Sequence, residues 1–446
     1  MTNDKVANNN KLFYNYLGAF ILVALSGCLG NVVDGIIVGN LISEDGVSAI
    51  NLSKPINQFI FTLHLLINAG AGMLVGYELG KGSIAQARRF FTTALSLSVG
   101  LGILLSILGG IIFPNSIAHL LCSNEQILPL ASDYMLVLLL GNPAFILMWG
   151  LSTMVGVDGQ PKLVSVAVIV DNMINLGLDI VFIKYFDWGI TGSSAATVVG
   201  HLIGIGILLT HWIKPENRRL KLQIKESLFN SETGTNIKRI ISQGAPLAIA
   251  SICLTALLFS ANSIVLSTLG RTGIFAFAVC MNLLQIYNLF LSGTCQTLQS
   301  LGAVQLGKKD NEALRAIIRK ALVFISIAMG VTCIFAWIDP QAIAKLFGAD
   351  EAELITETDH AIRIFALSFI PFCYIYVIMI IYKLYSQHKM ALFISFALSL
   401  TVIPVLWIVA KVAPDLLWYS YLIAYLIEAI CIFTIHKTRK IQFVLS

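Results

Sequence analysis

Residues 161–213 read PKLVSVAVIVDNMINLGLDIVFIKYFDWGITGSSAATVVGHLIGIGILLTHWI. The stretch holds two long apolar runs, 161–184 and 189–213, separated by a short turn that carries Lys184 and Asp187. A helix needs roughly 20 mostly apolar residues to span a bilayer. Lipid offers no partner to unpaired backbone groups, so a spanning segment of this kind must be helical. The stretch therefore predicts two membrane-spanning helices joined by a tight turn.

The rest of the chain has the same composition. Of its 446 residues, 57% are apolar and only 12% are charged, and the mean hydropathy is +0.83. A soluble domain carries about a quarter charged residues, so a soluble protein is excluded. At roughly 20 to 30 residues per crossing, the chain is an all-α membrane protein with room for twelve transmembrane helices. The predicted crossings are 13–41, 47–79, 88–113, 127–157, 161–184, 189–213, 239–269, 273–306, 314–338, 353–386, 388–411 and 413–436.

The positions of the basic residues predict the orientation. If both termini are cytoplasmic, 23 of the 29 Lys and Arg residues fall on the cytoplasmic side, including those of a basic linker at 214–238. This asymmetry follows the positive-inside rule for an even number of crossings. We therefore expect a multi-pass protein of the bacterial cytoplasmic (inner) membrane. The net charge of +5 marks the side of the membrane, and no nucleic-acid partner is expected.

An internal repeat divides the chain. Residues 34–95 align with 261–322 at a single offset of 227, with twelve identities in 62 positions, the clearest being LGK at 79–81 and 306–308. We predict an N-lobe at 1–213 (helices one to six), a cytoplasmic linker at 214–238 and a C-lobe at 239–446 (helices seven to twelve), as two pseudo-symmetric six-helix bundles. Parallel repeats of this kind predict a site between lobes and alternating access by rocking.

Polar residues at membrane depth mark the candidate ion site. Asp34, Asn175, Asp179 and Thr197 all fall in the outer half of their predicted helices. A buried charge there costs roughly 2.5–3.5 kcal/mol, so each must face a partner or a cavity. Two carboxylates, an amide and a hydroxyl at one level can hold a proton or a sodium ion. The alternative is that Asp34 and Asp179 only bond backbone or hydroxyl groups.

Other residues could modulate this site or contact a substrate. Lys54 lies at the predicted depth of Asp34 and could neutralise a carboxylate in one state, or it could reach the outer interface as lysines often do. Asp171 could join a relay or bond a neighbouring helix, and Glu428, His64 and His201 leave the same two alternatives open. The candidates for a substrate cavity are Gln58, Gln285, Tyr374 and Tyr376. The tyrosines could stack on a lipophilic cation or pack within the protein.

Several motifs resemble those of the multidrug and toxic compound extrusion (MATE) family, in particular its bacterial branch. They are NVVDGIIVGN at 31–40, YELGKGSIAQARRFF at 77–91, GVDGQPK at 156–162 and DNMINLGLDIVFIKYFDWGITGSSAATVV at 171–199. The resemblance implies twelve helices in two bundles and export driven by entry of protons or sodium. It also implies that Asp34, Asn175, Asp179 and Thr197 are the coupling residues of the amino lobe.

The departures from the family pattern bear on the mechanism. Helix seven, APLAIASICLTALLFS at 245–260, has no acid after its proline, so a second cation site in the carboxyl lobe is not expected. Lys54 disfavours sodium by charge repulsion and favours protons. The expected function is proton-coupled antiport and multidrug efflux of lipophilic or cationic molecules. The alternative is a flippase, or an exporter of a lipid-linked, peptide or secreted metabolite substrate.

No enzymatic motif is present, so transport without catalysis is expected. We expect no cofactor beyond H⁺ or Na⁺ as the coupling ion and no bound metal other than Na⁺ at the coupling site. The expected partners are a small-molecule substrate and membrane lipid, with the protein acting as a monomer.

Overall fold

In lipid the backbone must satisfy its own hydrogen bonds, and the structure shows helices wherever the sequence is continuously apolar. The structure is a computed structural model that describes residues 3–42, 44–112, 127–213 and 219–438. Within those ranges the chain forms helices and short connections, with no β-strand. It folds into two compact units, residues 1–245 with 303–309, and residues 246–302 with 310–446.

The first unit contains nine helices and the start of a tenth. In chain order they are α1 (Asn3–Leu41), α2 (Glu44–His64), α3 (Gly70–Lys81), α4 (Ile84–Leu105), α5 (Leu128–Leu140), α6 (Asn142–Val157), α7 (Pro161–Ile180), α8 (Gly189–Leu209), α9 (Ile224–Leu228) and the beginning of α10 (Thr233–Gly307). A π-helical turn at Leu65–Ala69 joins α2 to α3, and another, Ser106–Ile112, extends α4. Helices α5 and α6 form one bent crossing, with an angle of 52° between them.

The second unit contains most of α10 and the remaining helices. These are α11 (Asn311–Ile338), α12 (Pro340–Leu346), α13 (Ala352–Leu384), α14 (His388–Leu400), α15 (Val402–Val412) and α16 (Tyr419–Thr438). Helix α10 has 75 residues and is interrupted at Gly270, whose φ of 60° and ψ of −147° are not helical. This break separates the two crossings predicted at 239–269 and 273–306, so α10 is two spans.

The predicted fold class is confirmed. Nine helices in the described ranges are long and apolar enough to cross a membrane, and the bent pair α5 and α6 makes ten. Because α10 holds two spans and α16 contains a shorter apolar helix, Tyr419–Ile435, each predicted crossing coincides with a helix. The predicted end of the third crossing, residue 113, lies outside the described residues. The lobe and linker boundaries stay a prediction.

The described part of the linker is bound to the first unit. The Arg219 guanidinium lies 2.8 Å from the buried Asp158 carboxylate, and Trp212 donates a 2.7 Å hydrogen bond to the Leu220 carbonyl. The backbone N–H of Gln223 donates to the Thr92 hydroxyl at 3.0 Å. Arg219 of the linker therefore has a specific partner in the first unit, although its side chain is 51% exposed.

A candidate cation-coupling site in the first unit

Two neighbouring helices, α7 and α8, carry most of the candidate site. The turn between them contains Asp187 and Gly189, whose φ values of 56° and 55° lie in the left-handed region, which Gly and Asp tolerate better than other residues. Residues four apart share a helix face. The turn therefore fixes the register in which Asn175 and Asp179 of α7 face Ser193 and Thr197 of α8.

Hydrogen bonds connect three of the four predicted coupling residues, Asp34, Asn175 and Thr197, through Ser193. The Asn175 amide donates to the Thr197 hydroxyl at 3.0 Å, and that hydroxyl donates to the Ser193 carbonyl at 3.2 Å. The Ser193 hydroxyl donates to the Asp34 carboxylate at 3.3 Å. The structure therefore brings Asp34 of α1 into one polar cluster with α7 and α8.

The Asp34 and Asp179 carboxyl groups form the centre of this cluster. Asp179 is 0% exposed, and neither of its oxygens accepts a hydrogen bond of normal geometry. The Asp34 carboxyl and the Ser193 hydroxyl nevertheless lie beside it. No Lys or Arg in the described residues forms an ion pair with either carboxylate. Two uncompensated charges would be costly here, whereas one proton between the carboxyls removes a charge and makes a hydrogen bond. The cluster can therefore take up a proton or a small cation.

Two neighbours of the carboxyl pair were missed by the sequence reasoning. The spacing along the sequence could have identified Ser193, because it lies four residues before Thr197 and shares its helix face. Tyr134 of α5 is 5% exposed and lies close enough to Asp34 and Asp179 to interact with both electrostatically. Its position follows from the packing of α5, which the sequence does not reveal.

The two predicted modulators behave differently. Lys54 is exposed and makes no ion pair with Asp34 or Asp179 in this structure, so the proposed neutralisation stays a prediction. Asp171 is buried, and the His201 Nδ1 atom lies 2.8 Å from its Oδ2. The sequence left open whether Asp171 joins a relay or bonds a neighbouring helix. The bond to His201 of α8 is present, and a relay stays a prediction.

The four candidate substrate residues are divided between the two units, with Gln58 in the first and the other three in the second. In the first unit, the Gln58 carbonyl accepts from the Thr62 hydroxyl, and its side chain is half-buried. In the second unit Gln285 is exposed, while the Tyr374 hydroxyl bonds to the Ser326 hydroxyl of α11. The Tyr376 ring contacts the Phe372 ring, with centroids 6.1 Å apart. A role in substrate binding stays a prediction for all four.

The second unit has its own buried ionisable groups. Glu428 of α16 is 2% exposed, and neither carboxylate oxygen has a hydrogen-bond partner in the described residues. Lys383, one of the basic residues predicted to lie on the cytoplasmic side, is 0% exposed and donates to the Gln299 side chain at 3.2 Å. The described residues contain no group of three His, Cys, Asp or Glu side chains that could hold a metal ion.

Curated relatives of the chain include two staphylococcal proteins. The multidrug export protein MepA of Staphylococcus aureus (strain bovine RF122 / ET3-1) is 24% identical over 340 residues, which are 75% of this chain and 73% of MepA. MepA of Staphylococcus haemolyticus (strain JCSC1435) is 22% identical over 343 residues, covering 76% and 74% of the two chains.

Solved structures of transporters share the fold. The MATE transporter VcmN of Vibrio cholerae, in a mutant form, superposes with a TM-score of 0.88 at 16% identity and covers 99% of each chain. A MOP superfamily transporter from Pyrococcus furiosus superposes with a TM-score of 0.86 at 17% identity, covering 97% of this chain and 96% of its own. At these identities the likeness establishes the fold alone.

The MatE family model matches the chain twice, at residues 19–181 and 246–408. Both the starts and the ends of the two copies are 227 residues apart, which is the offset found by aligning the chain with itself. Because the two matches together cover well over half of the sequence, the chain belongs to the multidrug and toxic compound extrusion (MATE) family of membrane transporters.

Proposed function

We propose that this chain exports lipophilic or cationic small molecules in exchange for protons, by alternating access. The observation that carries the proposal is the pair of carboxyl groups of Asp34 and Asp179 inside the first unit. Asp179 is fully buried and has no donor or cation of ordinary geometry bound to it. A site of this kind changes its charge when it gains or loses a single proton, and it can therefore couple an ion gradient to a conformational change.

The relatives support the transport part of the proposal. MepA is named a multidrug export protein, and the family to which this chain belongs consists of transporters. The chain is a multi-pass membrane protein. We place it in the cytoplasmic membrane with both termini inside, on the basis of the Lys and Arg distribution.

The geometry favours a proton over sodium. The Thr197 hydroxyl already accepts from Asn175 and donates to the Ser193 carbonyl. The side-chain oxygens that lie beside Asp179 are those of the Asp34 carboxyl and the Ser193 hydroxyl. A hard cation prefers a larger set of oxygen ligands, whereas a proton needs only the two carboxyls.

The test uses inverted membrane vesicles in which a proton gradient drives uptake, with ethidium as a lipophilic cation probe. Wild type should accumulate ethidium, and Asp34→Asn should abolish accumulation, because an amide cannot exchange the proton. The control is Asp133→Asn, which removes an exposed carboxylate from α5 of the same unit. This variant should transport like wild type.

Two further conditions separate the coupling ions. A protonophore should stop accumulation, and replacement of sodium by choline should leave it unchanged. Normal ethidium transport by Asp34→Asn would refute the assignment of the coupling site. Dependence on sodium with insensitivity to the protonophore would refute proton coupling while leaving the site in place.

A further inference from the structure

Helices α7 and α8 form a polar seam that extends beyond the proposed coupling site. The two helices run antiparallel, so moving four residues back along α7 leads to a side chain that faces the residue four positions further along α8. Asp179 lies beside Ser193, Asn175 bonds Thr197 at 3.0 Å, and Asp171 bonds His201 at 2.8 Å. The Asp171–His201 pair therefore continues the same seam, eight residues from Asp179, or roughly 12 Å along the helix.

The pair is enclosed by the surrounding helices. Asp171 is 5% exposed, and a Cβ atom at Gly200 would lie only 2.6 Å from its Oδ1 atom, so the carboxylate packs directly against the α8 backbone. The Phe145 ring of α6 lies 5.3 Å from the His201 ring, and Met148 packs at Gly204 beside Asp171. Neither α6 side chain can titrate. The other titratable groups that the described residues place along the seam are Asp34 of α1, Asp179 of α7 and Tyr134 of α5.

The charge of the pair depends on one proton. With a protonated imidazole the pair is neutral, and with a neutral imidazole it carries the uncompensated charge of Asp171. A net charge at membrane depth is costly, which favours the proton. The His201 Nε2 atom is buried and has no partner in the described residues, so protonation leaves a buried N–H without an acceptor, which opposes it. The geometry thus gives the pair one reason to take up a proton and one reason to release it, as an exchangeable site requires.

We infer that the Asp171–His201 pair is a second proton-binding site of the first unit, loaded and discharged in the same cycle as Asp34 and Asp179. The inference rests on the proposed function, since it adds a second proton to the same exchange. It predicts that the substrate displaces protons from two places along the seam.

A second Asp–His pair in the same unit provides a matched control. The His211 Nε2 atom lies 2.9 Å from the Asp158 Oδ2 atom, and both side chains are 0% exposed. Here the Arg219 guanidinium, 2.8 Å from Asp158, supplies a permanent positive charge. The His211 imidazole therefore does not have to hold a proton to balance the carboxylate. A histidine that only joins two helices should behave like His211.

The experiment counts protons released when ethidium is added to the purified, full-length protein in weakly buffered detergent, with a pH indicator. Wild type should release protons from both sites. His201→Gln should bind ethidium and release roughly half as many, as expected when one of two coupled sites is removed. Asp34→Asn should lose the other half, and the double variant should release none. His211→Gln should match wild type.

If His201→Gln does not fold, Asp171→Asn takes its place, because an asparagine still accepts from the imidazole but lacks the charge that favours the proton. This variant should also release roughly half as many protons. Wild-type proton release by both folded variants would overturn the second site and leave the Asp34–Asp179 site untouched. Transport that survives in Asp34→Asn would instead overturn the proposed function.

Discussion

Gly80 and Gly307, at equivalent positions of the repeat, allow the ends of α3 and α10 to approach closely in the first unit. Gly80 lies one residue before the end of α3 and Gly307 ends α10, and the offset of 227 that relates them also relates Tyr77 to Val304. A Cβ atom at Gly80 would lie 2.0 Å from the Val304 carbonyl oxygen, and one at Gly307 would lie 2.0 Å from the Tyr77 carbonyl oxygen. The contact is thus reciprocal, backbone against backbone.

We predict that Gly80→Ala and Gly307→Ala each force these two helix ends apart. Real Cβ contacts are essentially never shorter than 3.0 Å, so the carbonyl must move by at least 1 Å, and it belongs to a helix backbone that cannot turn aside as a side chain can. Overpacking of this kind costs about 1–3 kcal/mol. If the contact opens during transport, that cost shifts the equilibrium between the closed and the opened contact about 5- to 150-fold towards the opened state.

The assay measures the distance between spin labels on Lys81→Cys and Lys308→Cys, two exposed positions next to the glycines, in a background with the native cysteines replaced by serine. Both alanine variants should show longer distances than the parent protein and slower ethidium transport. The control is Gly206→Ala in α8, where a Cβ atom meets nothing within 4 Å. Label distances and transport rates in Gly80→Ala and Gly307→Ala that equal those of Gly206→Ala would refute the reasoning.

Two further predictions concern thermal stability in detergent. Glu428→Leu should raise the unfolding temperature, because it removes a buried carboxylate without a described partner, a change worth about 1–3 kcal/mol; a fall in stability would show that Glu428 holds its helix in place. Arg219→Met should lower stability by about 1–2 kcal/mol, less than a fully buried pair because the Arg219 side chain is 51% exposed and partly screened. An Arg219→Met protein as stable as wild type would mean that His211 alone is sufficient for Asp158.

The helices and the polar residues of the candidate site could be predicted from the sequence because both depend on local pattern. Apolar length determines a crossing whatever its neighbours are, and an acid such as Asp34 inside such a run is conspicuous. Asn175 and Asp179 share a face through their spacing alone. These inferences need no knowledge of which helix packs on which.

The pairings could not be predicted, because they depend on register between helices. Asp171 and His201 are 30 residues apart, and the same sequences with the α7–α8 turn shifted by one residue would not align them. Lys383 carries no local signal of burial, since it lies at the end of a long helix beside other polar residues. Its contact with Gln299 of α10 depends on packing inside the second unit.

The repeat preserves the helices but not the charges of the coupling site. At the offset of 227, the positions equivalent to Asp34, Asn175 and Asp179 are Ala261, Val402 and Leu406, all within the second matched copy. Two of these three replacements remove a carboxylate, and none supplies a ligand for a proton or a hard cation. Coupling that uses this set of residues is therefore confined to the first unit. Any contribution from the second unit would have to use a group with no counterpart in the cluster, and Glu428 is the buried acid that the described residues offer for it.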